Sequence, residues 1–275
     1  MHPAPGRTGQ KEFPYWLAAA IAIAIVVAIY TYLSDIYGKV FLTVIHGLWI
    51  TLFVTVIAFF LACAIGLVFA LMALSASRWM REVSRFYIEI VRGIPMLVLL
   101  FWIAFVGAPA AVAGWNLITA PLQQAGIMDA ATVRDFSLLW RAIIALTIGY
   151  SAFIAEVFRA GIQSVEVGQV EAAKALGMSG YQRFRLIVFP QAIRIILPPL
   201  GNDFVAMVKD SSLVSVLGVA DITQLGKIYA AGSFRYLETY SMVAYIYLIL
   251  TVGLSLALRR LERRMRFNQT TAPQH

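Results

Sequence analysis

The stretch EAAKALGMSGYQRFRLIVFP, residues 171–190, is a polar, small-residue island in a very apolar chain. Glu171-Ala172-Ala173 is followed by Gly177 and then by Ile187-Val188-Phe189-Pro190. Hydrophobic segments flank it on both sides, each long enough to cross a bilayer. A plain connection between two spans needs none of this pattern. Ala172, Ala173, Ala175 and Leu176 favour helix, and Gly177 is suited to the left-handed conformation that ends one. Ser179 with Gln182 has the spacing of a capping box that opens the next helix. The stretch therefore reads as a helix–turn–helix with a small-residue face that another protein can approach closely.

The rest of the chain fits a membrane protein. It has 275 residues, of which 61% are hydrophobic and 13% charged, with mean hydropathy +0.80. Soluble domains carry about a quarter charged residues. Six segments approach the roughly 20 apolar residues that a helical span requires: 15–33, 48–74, 86–106, 138–158, 186–208 and 240–258. At the end of the first stand Tyr30, Tyr32 and Asp35, where a signal peptide would carry small residues, so it is read as an uncleaved helix. The expected fold is all-α and polytopic, with about six transmembrane helices.

The net charge of +8 is explained without nucleic acid, because Lys and Arg gather on cytoplasmic loops. With both termini inside, that side receives Arg7, Lys11, Arg78, Arg81, Arg85, Lys174, Arg183, Arg185, Arg259, Arg260, Arg263, Arg264 and Arg266. The other side receives Lys39, Arg134, Arg141, Lys227 and Arg235, spread over longer loops. The arginine-rich tail is expected to rest on anionic membrane lipid, each charge contributing about 1 kcal/mol. Cys63 is the one cysteine, and His2, His46 and His275 are far apart, so neither a disulfide within the chain nor a zinc site is expected. Gly38-Lys39 and Gly226-Lys227 lack the rest of a P-loop, so the chain is not expected to bind ATP by one.

The motifs around 171–190 extend in both directions. Ala155-Glu156-Val157-Phe158-Arg159-Ala160-Gly161-Ile162-Gln163-Ser164-Val165 leads into it, and Pro190-Gln191-Ala192, Pro198, Asn202 and Lys209-Asp210-Ser211-Ser212-Leu213 follow. Upstream stand Gly47-Leu48-Trp49-Ile50-Thr51-Leu52 and Tyr87-Ile88-Glu89-Ile90-Val91-Arg92-Gly93-Ile94-Pro95. Over roughly residues 45–262 the chain resembles the ABC importer permeases of the polar amino acid uptake family, and residues 166–185 resemble their EAA coupling loop. The resemblance implies a five-helix permease core at 45–262, preceded by a tail at 1–12 and an added helix at 13–34, and followed by a tail at 263–275. It implies that Glu171, Ala172, Ala173, Gly177, Ile187 and Pro190 contact a separate ATP-binding cassette ATPase dimer, where ATP and magnesium bind. The chain itself would then be no enzyme. A second permease subunit, identical or paralogous, and an extracytoplasmic binding protein complete the implied complex in a bacterial inner membrane. An ion-gradient-driven secondary transporter is the alternative, and the coupling-loop spacing argues against it.

Charged groups in the spans are the candidate pathway residues, since charge at membrane depth is costly and faces a bundle interior or water. Glu156 has Arg159 three residues on, which suits either a local ion pair or a carboxylate that meets a substrate ammonium. Glu89 and Arg92 repeat the spacing just before an expected helix break, and there a structural pair is favoured. Pro198-Pro199 is expected to break the fifth span and leave Asn202 and Asp203 beside a water-filled cavity. Asp210 and Ser211 stand at the external end, where Ser211 and Ser212 are expected to cap a short helix, with a gate role as the alternative. Met207 and Met242 are read as core packing. Residues 107–137 suit a short interfacial helix or a cover over the external mouth, and Asp221 with Gln224 suits a capped helix.

Overall fold

The computed structural model describes residues 15–267, and all of its regular elements are helical. The expectations for residues 1–12, with Arg7 and Lys11, and for 268–275 lie outside the described residues. Five helical stretches are long and apolar enough to span a membrane: Asp35–Ala73, Met96–Gln124, Leu138–Gln163, Gly180–Leu217 and Tyr236–Glu262. A shorter apolar helix, α1 (Tyr15–Leu33), precedes them with the bounds read from the sequence.

The centre is the pair α3 (Leu48–Ala73) and α7 (Leu138–Gln163), the most extensive helix contact in the chain. In lipid, apolar burial does not drive helices together, so close packing must. Ala58, Ala62, Gly66 and Ala70 recur every fourth residue along one buried stripe of α3. At Gly66 a Cβ would come within 2.9 Å of the Ser151 carbonyl oxygen on α7. The bare backbone is what lets the two helices meet. Ala142, Ala145, Ala152 and Ala155 are buried on α7. Tyr87 reaches into this wall, with its hydroxyl 2.6 Å from Ser151 Oγ.

A second, smaller core gathers α2 (Asp35–Ile45), α11 (Ile222–Ser233) and α12 (Tyr236–Phe267) around Val40, Val44, Ile222, Met242 and Ile246. Asp221 caps α11 by accepting from the Gln224 amide at 2.8 Å, as its spacing predicts. Met207 and Met242 are both buried. The helix α1 lies against α2, and the Tyr245 hydroxyl donates to its Ala24 carbonyl at 2.9 Å.

Four expectations are corrected. The third span does not run 86–106. α4 (Arg78–Gly93) ends where Ile94 turns extended, at φ −97 and ψ 127, because a residue before proline is driven out of the helical region. The span begins after Pro95 as α5 (Met96–Trp102), passes a π-helical turn at Ile103–Gly107, and continues as α6 (Ala108–Gln124). Much of 107–137 therefore belongs to that span. Secondly, Glu89 and Arg92 form no ion pair, and the Arg92 guanidinium lies 5.4 Å from the Phe153 ring centroid instead.

Thirdly, Pro198 and Pro199 do not break the fifth span. α10 (Phe189–Asp210) runs through both. Proline's fixed φ is itself helical, and helices in membranes keep such residues where neighbours support the freed backbone. Here α7 and α12 both pack against it. Fourthly, Ser211 caps nothing ahead of it. It is buried, and its hydroxyl donates back to the Val208 carbonyl at 2.7 Å as a short 3-10 segment, Ser211–Leu217, begins.

Candidate functional site

Three places carry the residues singled out by the sequence. The first is the 166–185 loop. α8 (Val167–Ala175) ends at Gly177, whose φ is +77. The Gly177 amide donates to the Lys174 carbonyl at 3.0 Å and the Met178 amide to the Ala173 carbonyl at 3.1 Å, which together satisfy the last carbonyls of the helix. α9 (Gly180–Arg183) opens with the full capping box. The Gln182 amide donates to Ser179 Oγ at 3.3 Å, and the Ser179 amide donates to Gln182 Oε1 at 2.8 Å.

Glu171, Ala172 and Gly177 are exposed and Ala173 is buried. Leu176 at 82% and Tyr181 at 68% stand open to the surroundings. The joint to α10 is a π-helical turn at Phe184–Val188. Pro190 follows it as Pro109 follows the turn at Ile103–Gly107, and neither proline has an amide to keep the ordinary helical register. Gln191 bridges the Ile187 carbonyl, at 2.9 Å, and Gln169 Oε1 on α8, at 2.7 Å. The loop is thus tied to the spanning helix.

The second place is a hollow of about 490 Å³ at the α4–α5 break. Arg92, Gly93, Ile94 and Pro95 form one wall, Gly149, Tyr150 and Phe153 of α7 a second, and Asp203, Ala206 and Asp210 of α10 a third. The Tyr150 hydroxyl donates to Asp210 Oδ2 at 2.8 Å. Asp203 Oδ2 is buried and has no hydrogen-bond partner among the described residues. A buried carboxylate oxygen left unmatched is costly, and a cationic group entering the hollow would relieve it.

The third place is a polar hollow of about 340 Å³ between α4 and α7, nearer the 166–185 loop. Glu156 lies here, with its Oε2 2.6 Å from Arg159 Nη2. The local ion pair read from the sequence is present. Glu156 and Asp203 therefore line different hollows, and Asn202 is exposed on α10 and lines neither. Arg92, weighed from the sequence and given a structural role there, lines the hollow at the α4–α5 break, the upper of the two, and so does Tyr150, which was not among the sequence candidates. The helix break gave one signal for Arg92. Tyr150 had only its hydroxyl in an apolar span to mark it.

Comparison with known proteins fits this arrangement of spans. A family model described as the binding-protein-dependent transport system inner membrane component matches residues 62–267. The chain belongs to that family. It is a multi-pass inner-membrane permease, and the family is one of transport permeases rather than enzymes. A probable amino-acid permease of Bacillus subtilis (strain 168) is 37% identical over 225 residues, 82% of this chain and 92% of that protein. The glutamine transport system permease of Escherichia coli (strain K12) is 37% identical over 223 residues, 81% of this chain and 92% of its own. Among solved structures, an amino acid ABC transporter crystallised with histidines superposes with TM-score 0.67 at 38% identity, covering 83% of this chain and 95% of that one. An inward-facing methionine ABC transporter shares the fold, with TM-score 0.62 at 22% identity over 84% of this chain and 99% of that one.

Proposed function

We propose that this permease forms the membrane pathway of an ATP-driven importer for a polar amino acid. The observation that carries the reading is the pairing of an exposed, doubly capped helix–turn–helix with a membrane-depth hollow holding an unmatched carboxylate. Relatives named for amino-acid and glutamine transport support the cargo class. A separate ATPase dimer hydrolyses ATP and docks on Glu171, Ala172, Ala173 and Gly177. Its closure pushes through Ile187 and Pro190 into α10. A second permease subunit faces the first, and an extracytoplasmic binding protein delivers cargo.

In this reading the cargo ammonium meets Asp203, with Asp210 held beside it by Tyr150, and the cargo carboxylate meets Arg92. α10 carries Asp203 and Asp210 and also joins the coupling loop, so its movement would change the hollow. A ligand shifts such an equilibrium only by its differential affinity for the two states. Asn202, exposed on α10, would face the shared water-filled path.

The test is uptake by the permease reconstituted with its ATPase and binding protein, against L-glutamine, L-arginine, L-histidine and L-glutamate. Uptake of at least one, dependent on both ATP and binding protein, is expected. Uptake driven by an ion gradient without ATP would overturn the reading in favour of a secondary transporter. Orientation is tested separately. Both termini and the 166–185 loop are cytoplasmic in this reading. A Lys174→Cys variant in a Cys63→Ala background should resist a membrane-impermeant thiol reagent in sealed right-side-out vesicles, and labelling there would refute the topology.

A further inference from the structure

The polar hollow between α4 and α7 is separate from the upper one, yet both share the same two helices. Along α7 the order is Gly149, Tyr150 and Phe153, then Glu156, Arg159 and Gln163. Along α4, read backward, it is Arg92, then Glu89, Arg85 and Arg81. At 1.5 Å of rise per residue the two hollows are stacked about 10–12 Å apart. The lower one is on the side from which α7 runs directly into the coupling loop.

Its charges are arranged unusually for a structural network. Arg159 is committed to Glu156 and, at 2.6 Å, to Gln163 Oε1. Arg81 donates from Nη1 to the Ser75 and Ala76 carbonyls at 2.9 and 2.8 Å, which leaves its other N–H groups free to donate. Arg85 and Glu89 have the i, i+4 spacing that lets opposite charges pair on a helix, and they do not pair. Arg85 leans on Glu82 at 3.9 Å, on an exposed face. Glu89 has no ion pair or hydrogen bond among the described residues. An available guanidinium and an available carboxylate thus flank an open polar space, facing a bound pair across it. Phosphate would suit the arginines but be repelled by Glu89 and Glu156. A group with both charges, set a short distance apart, satisfies every wall.

We infer that this hollow is a second, inner station for a zwitterionic amino acid, its carboxylate taken by Arg85 and Arg81 and its ammonium by Glu89 and Glu156. The inference rests on the reading of the chain as an amino-acid permease. Cargo leaving the upper hollow, where carboxylates outnumber the single arginine, would next meet a site where arginines outnumber carboxylates. Each station holds both ends of the molecule with the opposite excess. Neither then retains every amino acid equally, and release toward the coupling-loop side follows from occupancy of the inner station.

The experiment uses the permease–ATPase complex in nanodiscs, without the binding protein, and equilibrium dialysis of whichever of L-glutamine, L-arginine, L-histidine and L-glutamate the complete system transports, with inorganic phosphate as a control. Wild type should hold two amino acids per permease chain at saturation. The Arg85→Gln/Glu89→Gln variant should hold one, with affinity at the lost station weakened at least about tenfold. Asp203→Asn should remove the other. Arg85 and Glu89 are exposed, so neutral replacements leave the fold intact, and co-purification of the ATPase checks this. If Arg85→Gln/Glu89→Gln binds as wild type does, or if phosphate occupies the hollow and the amino acid does not, the inner station is refuted. If Asp203→Asn alone has no effect, the upper pathway reading fails while the inner station stands.

Discussion

The 166–185 loop, proposed above to dock the ATPase, and the upper hollow are built on opposite principles. The loop is held by bonds between near neighbours: Ser179 with Gln182, Gly177 with Lys174, Met178 with Ala173. Its functional surface is exposed and its shape is set by backbone conformation. The hollow is held by contacts between distant residues, such as Tyr150 with Asp210, 60 positions apart. Its groups range from the buried Tyr150 through the half-buried Asp203 and Asp210 to the exposed Arg92, and its shape depends on separate helices meeting correctly. A region of the first kind can present a docking face and still transmit force. A region of the second kind can hold a carboxylate without a partner until cargo supplies one. Function therefore divides: changes in the hollow should alter cargo binding without altering docking, and changes in the loop should alter docking without altering cargo binding.

The sharpest way to break this division is Asp203→Asn. Removing a buried carboxylate from a charged pair costs on the order of 3–5 kcal/mol, so uptake should fall by about a hundredfold or more while the ATPase still co-purifies. Normal uptake would show that the hollow is not the path. Tyr150→Phe should come next. It removes one hydrogen bond to a carboxylate, about 1.5–3 kcal/mol, and frees Asp210 to compete with Asp203 for the cargo. Uptake assays should show a smaller loss than for Asp203→Asn, again with intact docking. A Tyr150→Phe complex that loses its ATPase would erase the distinction between the two regions.

The smallest expected effect is at the loop. Gly177→Asp forces a side chain into left-handed backbone, a strain of about 1–2 kcal/mol. Cargo binding by equilibrium dialysis should be unchanged, and ATPase co-purification should drop. If cargo binding falls instead, the loop and the hollow are not independent at rest.

The same contrast explains what was readable from the chain. Wherever structure is set by neighbours in sequence, residue types announce it. Ser179 with Gln182, Asp221 with Gln224, Gly177 and the break at Gly93-Ile94-Pro95 all specify backbone conformation within a few positions, and all stand as read. The helical class, the first helix and the helix–turn–helix at 171–190 follow from such local patterns and from apolar runs, and the family follows from the resemblance that the motifs carry. Pro198-Pro199 misled because a proline's local penalty is known from sequence, whereas the support that α7 and α12 give α10 is not. Ser211 misled for a related reason: its hydroxyl can bond forward or back, and only its burial settles which.

The sites depend on what no local pattern encodes. Glu156 and Asp203 are both acids within spans and both were candidates for the pathway, though Glu156 alone had a local partner in reach at Arg159. Tertiary structure separated their surroundings: Glu156, paired with Arg159 on its own helix, lines one hollow, while Asp203 lines another and has an Oδ2 with no hydrogen-bond partner among the described residues. Helix rotation is fixed by packing, above all where the bare backbone of Gly66 lets α3 close on α7. The sequence by itself determined the helical class, the caps and the break at Gly93-Ile94-Pro95, and its motifs carried the family resemblance. The packing of those helices alone decided which charges share a cavity.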